Sequence, residues 1–179
     1  MHCIENGKKI DNSILAKIMF IILLITIIPL IIVFTVYLND LDSHLINVIT
    51  ASASDLPALL SVRNPELSII MSAWCKTAPF WGTVSFILSF KHIQINGNQT
   101  VGTMFKGVVL FSFLYFPIMY MLLLHSTEIT GSGKIYRIMS QNDYLLTTLF
   151  IMIYTICYLS TNYYLMAIAA AFKSLTTKL

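Results

Sequence analysis

The chain has 179 residues, of which 57% are hydrophobic and 11% charged. A soluble domain averages about 25% charged residues, so an ordinary soluble enzyme is excluded, as are a disordered chain and a disulfide-rich secreted module. A formal net charge of +3 gives no field suited to nucleic acid, and the composition points to a membrane protein with little mass outside the bilayer.

About 20 apolar residues cross the hydrocarbon core as a helix, which satisfies its own backbone polar groups there. The first candidate is Ile18 to Leu38, 21 residues without a charge. Lys8, Lys9 and Lys17 precede it, but it is longer than a signal-peptide core. It reads as a retained anchor. The loop 39–66 follows. Its middle, Leu45 to Leu60, is half apolar and is expected to form a short interfacial helix ended by Pro57.

The second candidate is Leu67 to Phe90, interrupted once, by Lys76. A Lys at the bilayer centre costs roughly 2.5–3.5 kcal/mol on insertion scales, which makes it a functional candidate. Two readings of Lys76 stay open. In one it is buried and faces a partner. In the other, Lys76 and Lys91 bracket 14 uncharged residues and both snorkel to the membrane surfaces. Their Cα atoms would then lie about 22 Å apart. This span also carries Ser68, Ser72, Cys75, Ala78, Gly82, Ser85 and Ser89. At 100° per residue these fall within about 140° of arc, a stripe for close helix approach. It serves either packing within the bundle or docking of an outside helix.

The third candidate, Gly107 to Leu124, follows the loop 91–106. Its aromatics Phe111, Phe113, Tyr115, Phe116 and Tyr120 are expected to face lipid or the interface. The fourth, Tyr144 to Phe172, follows the loop 125–143 and is long enough to tilt. Its polar run Ser160 to Tyr164 is expected to face the bundle or the inner interface. Pro29, Pro79 and Pro117 place a kink in three of the four spans.

Seven of the Lys and Arg residues fall at the two ends of the chain and in the loop 91–106. Three, Arg63, Lys134 and Arg137, fall in the other two loops. The positive-inside rule then makes both termini cytoplasmic, and four crossings require the same. The expected fold is an all-α, four-helix transmembrane bundle forming a single domain over 1–179.

Catalytic and metal signatures are missing. Cys3, Cys75 and Cys157 imply no disulfide framework, and no metal or cofactor motif occurs. Gly131-Ser132-Gly133-Lys134 lacks the first Gly and the Ser or Thr of a phosphate loop, with Glu128 and Ile135 in those places. Asn98-Gln99-Thr100 lies on the expected cytoplasmic side and has no meaning there as a glycosylation acceptor. No acidic residue lies in a span, which weighs against a transporter or channel. An accessory subunit of a larger membrane complex is a third class.

The run Cys75-Lys76-Thr77-Ala78-Pro79-Phe80 resembles one in the immunity proteins of A-type pore-forming colicins. Ile28-Pro29-Leu30, Asp55-Leu56-Pro57, Asn64-Pro65, Glu128-Ile129-Thr130, Arg137-Ile138-Met139, Asn142-Asp143 and Ala171-Phe172-Lys173 match in the same order. The resemblance covers nearly the whole chain. It implies a multi-pass protein of the bacterial inner membrane that is not an enzyme. Its implied partners are the lipid bilayer and the pore-forming domain of a cognate colicin, whose channel it keeps from opening. The residues singled out for that contact are Lys76, Thr77, Ala78, Pro79 and Gly82 in the second span. Arg137, Asn142 and Asp143 are singled out in the outer loop.

Overall fold

The computed structural model describes residues 13–39, 44–92, 101–131 and 133–176. Lys8, Lys9, Asp40, Asp42, Asn98 to Thr100, Ser132 and Lys178 lie outside the described residues.

Three helices are long and apolar enough to cross a membrane: Ser13–Asn39, Val101–Leu124 and Asp143–Leu175. The first, α1 (Ser13–Asn39), contains Pro29. Proline removes a backbone donor and crowds the carbonyl one turn before it. The Trp74 indole N–H donates to the nearby Thr26 carbonyl at 3.1 Å, tying this turn of α1 to the helix Pro65–Cys75.

The second stretch expected to span is two helices, α3 (Pro65–Cys75) and α4 (Ala78–Ser89), and neither is among the three helices long enough to cross. At Lys76 and Thr77 the ladder tightens. The Lys76 N–H donates to the Ala73 carbonyl at 3.2 Å and the Thr77 N–H to the Trp74 carbonyl at 2.9 Å. Pro79 supplies the reason, since it has no N–H for the Cys75 carbonyl and its ring presses on that group. The Cys75 thiol donates to the Phe150 carbonyl at 3.4 Å.

The third span is α5 (Val101–Met119), which ends in a π-helical turn over Tyr120–Leu124 just past Pro117. The fourth is α7 (Asp143–Thr176), 34 residues and so about 51 Å long, well beyond a core of about 30 Å.

α7 is the hub, and its most extensive seam is with α4. Ala78, Gly82, Ser85 and Ser89, the inner half of the small-residue stripe, are all buried on α4. A Cβ added at Gly82 would lie 2.8 Å from the Tyr158 carbonyl oxygen. Asn162 Nδ2 donates to the Gly82 carbonyl at 3.4 Å. The stripe is therefore spent on packing within the bundle.

α5 also packs against α7. Tyr115 and Tyr164 stack with ring centroids 4.5 Å apart. Hydroxyl pairs Tyr115–Thr161 and Ser112–Tyr164, each at 3.1 Å, flank the stack. Thr161, Asn162 and Tyr164 of the polar run thus serve the bundle, while Tyr163 is exposed. Phe113, Phe116 and Tyr120 are exposed, while Phe111 joins Tyr115 against Tyr164.

An outer layer sits on one end. α2 (His44–Ala53) packs on α3 and stops four residues before Pro57. β1 (Leu59–Leu60) pairs in parallel with β2 (Thr127–Glu128), Leu59 opposite Thr127. The outer half of the small-residue stripe receives β1. The Leu59 N–H donates to Ser72 Oγ at 3.2 Å and the Ser61 N–H to Ser68 Oγ at 3.1 Å. Ser61 Oγ donates to the carbonyl of Ser140, the last residue of α6 (Lys134–Ser140), at 3.1 Å.

Candidate functional site

The singled-out residues fall in three places. Lys76 and Thr77 form the joint between α3 and α4, both half-buried, with Pro79 half-buried beside them. The Thr77 hydroxyl donates to the Trp74 carbonyl at 2.8 Å. The Lys76 ammonium has no hydrogen-bond or ion-pair partner among the described residues. The joint therefore offers one cation and otherwise apolar surface. Ala78 and Gly82, by contrast, are covered by α7. They set how closely α4 and α7 approach, and an outside helix cannot reach them unless α7 leaves.

The second place is a polar recess of about 450 Å³ at the end of the bundle where α7 begins, lined by Tyr37, Arg63, Asn64, Gln141, Asn142, Asp143 and Tyr144. Its walls come from α1, from the loop before α3, and from the α6–α7 corner. The corner is set by Asn142. Its Oδ1 accepts from the Tyr144 N–H at 2.9 Å and more weakly from Leu145, satisfying donors of the first turn of α7. Asp143 then begins α7, where a carboxylate suits the positive end of the helix dipole. Asn64 Nδ2 donates to Asp143 Oδ1, joining loops 79 positions apart in sequence.

Arg137 does not line this recess. It sits on α6, the third place, with Lys134. Tyr37, Arg63 and Tyr144 were not singled out from the sequence. The one signal there was that Arg63 is among the three outer cations.

The recess presents a cation, a carboxylate, amides and phenols around one opening. That set suits a polar peptide segment. Among the described residues, no three His, Cys, Asp or Glu side chains cluster as a metal site.

A family model described as colicin immunity protein matches residues 42–178. The chain belongs to the colicin immunity protein family. The colicin-A immunity protein of Citrobacter freundii is 31% identical over 171 residues, 96% of this chain and 96% of that protein. The colicin-B immunity protein of Escherichia coli is 28% identical over 152 residues, 83% of this chain and 85% of that protein. The colicin-N immunity protein of Escherichia coli is 33% identical over 79 residues, 44% of this chain and 60% of that protein. No solved structure matches. The family match spans the α3–α4 joint and every wall of the recess except Tyr37.

Proposed function

We propose that this immunity protein crosses the bacterial inner membrane four times, with both termini cytoplasmic. It protects its cell by binding the pore-forming domain of a cognate A-type colicin within the bilayer and holding the channel closed. It works by recognition and catalyses no reaction. The observation that carries the reading is the family match on a chain whose long helices, α1 and α5, expose apolar side chains along their length. Such surfaces suit lipid and an inserted partner, not water.

α4 and the turns beside it make the fourth crossing, from Lys76 to Lys91. Leu59 supports this depth. It is bonded to Ser72 on one side and paired with Thr127, just past the end of α5, on the other. Ser72 is thus level with the outer end of α5, and Lys76 lies one turn further in, within reach of the headgroups by snorkelling.

Opening of a voltage-driven pore gains about 2.3 kcal/mol per charge per 100 mV. Moving a closed-to-open balance from 1:99 to 99:1 takes about 5.5 kcal/mol. Polar contacts between membrane helices give about 0.6–2 kcal/mol each. Several contacts must therefore act together. Lys76, Thr77 and Pro79 at the joint provide some, and Arg63, Asn142 and Asp143 in the recess provide the others. Ala78 and Gly82 hold the joint in place from behind.

Sensitive bacteria expressing this chain are expected to survive one or a few pore-forming colicins and to be killed by nuclease colicins. Death with every member of a broad A-type panel overturns the reading. Within a protected pairing, Lys76→Ala is expected to lower the tolerated toxin dose about 3- to 30-fold at unchanged protein level. An unchanged dose leaves Lys76 as an anchor alone.

A further inference from the structure

The toxin-binding reading uses Arg137 alone of α6, and that residue does not line the recess. Ile135 and Ile138, three residues apart, are 72% and 51% exposed. Lys134 and Arg137, also three apart, are exposed on the adjoining edge. No acid occurs in Lys134–Ser140. Neither basic side chain has a hydrogen-bond or ion-pair partner among the described residues. The helix is nevertheless fixed to the fold, because Ser140 is buried and its carbonyl accepts from Ser61 Oγ. It lies between the outer end of α5 and the start of α7.

Water does not suit two bare isoleucines, and hydrocarbon does not suit two bare cations. The headgroup layer suits both, with the apolar pair at the acyl boundary and the cations reaching outward. Exposed Tyr120, Tyr136 and Tyr144 at the same end form the belt expected at such a boundary. We infer that α6 lies in the outer headgroup layer and binds anionic phospholipid through Lys134 and Arg137. This rests on the membrane-spanning reading and not on any contact with a toxin. An acidic toxin segment would also meet the two cations, and the test below separates it from lipid.

Native mass spectrometry of the full chain in detergent, titrated with phosphatidylglycerol or phosphatidylcholine, tests the inference. The unaltered protein is expected to retain phosphatidylglycerol in preference to phosphatidylcholine. K134Q/R137Q is expected to lose about 30-fold in affinity for phosphatidylglycerol, at about 1 kcal/mol per cation. Its weak retention of phosphatidylcholine is expected to stay the same, as is its elution as a single folded species. Lys106→Gln, at the opposite end, is expected to retain phosphatidylglycerol fully. The inference is overturned if the double variant keeps its phosphatidylglycerol, or if both lipids are lost together. Displacement by inorganic phosphate alone overturns it too, since the site would then be one for free anions. Full lipid retention with lost colicin protection would assign the two cations to the toxin surface instead.

Discussion

Gly82→Ala is expected to destabilise the protein by about 1–3 kcal/mol. In an unconstrained helix the same change is favourable by about 1 kcal/mol, because Ala gives up less backbone freedom than Gly. At Gly82 the new methyl meets the Tyr158 carbonyl oxygen at 2.8 Å and Thr161 Cβ at 3.0 Å. Both belong to α7, and the carbonyl is backbone that no rotamer change can move. α4 must therefore back away, stretching the Asn162–Gly82 hydrogen bond beyond its present 3.4 Å. Gly107→Ala on α5 is the matched control. Nothing lies within 4 Å of its added Cβ, so it is expected to be neutral or mildly stabilising. Unfolding of both variants in detergent separates the cases, with protection compared at matched protein levels. Equal melting of the two would mean that α4 and α7 do not meet at Gly82.

That seam shows what the sequence made legible. Hydropathy alone located the long spans, because lipid tolerates few residue types over so many positions. The spacing of Ser68, Ser72, Cys75, Ala78, Gly82, Ser85 and Ser89 placed seven small residues on one face. It could not say what the face meets. The structure gives it two partners. The outer half takes β1 and the inner half takes α7, on either side of the Lys76–Thr77 joint. Helical periodicity alone reads the stripe as one surface and does not register the break at Lys76 and Thr77.

The outer layer was the least legible part. The β1–β2 pair is two residues long on each side and joins positions 68 apart, so no local pattern announces it. The recess has the same character. Asn142 and Asp143 were singled out through the family resemblance, and the capping role of Asn142 emerged only in the structure. Their convergence with Tyr37, Arg63 and Asn64 depends on α1, α3 and α7 ending at one level. That level follows from packing, which a single sequence does not encode in any short window. Lys76 is the intermediate case. The 14 uncharged residues between it and Lys91 left two readings open in the sequence, and the neighbouring Pro79 explains why the helix is broken there.

Asp143→Ala is expected to open the outer layer while leaving the inner bundle closed. Asp143 acts twice at the start of α7. Its carboxylate faces the helix N-terminus, an interaction of about 0.3–1 kcal/mol. It also accepts from Asn64 Nδ2, and a hydrogen bond to a charged group contributes about 1.5–3 kcal/mol. In the proposed topology this end faces water, and both terms then count in full. Their sum of about 2–4 kcal/mol corresponds to roughly 30- to 700-fold faster hydrogen exchange by local opening. The rise is expected in the loop before α3 and in the first turn of α7. The Gly82–Tyr158 seam, held by packing on other residues, is expected to keep its protection. Asp143→Asn keeps an acceptor for Asn64 without the charge and is expected to fall between the two. Colicin protection should follow the same order, because Arg63 and Asn142 hold their positions in the recess only while this corner is closed. Unchanged exchange in Asp143→Ala would show that the Asn64–Asp143 bond does not hold the recess together.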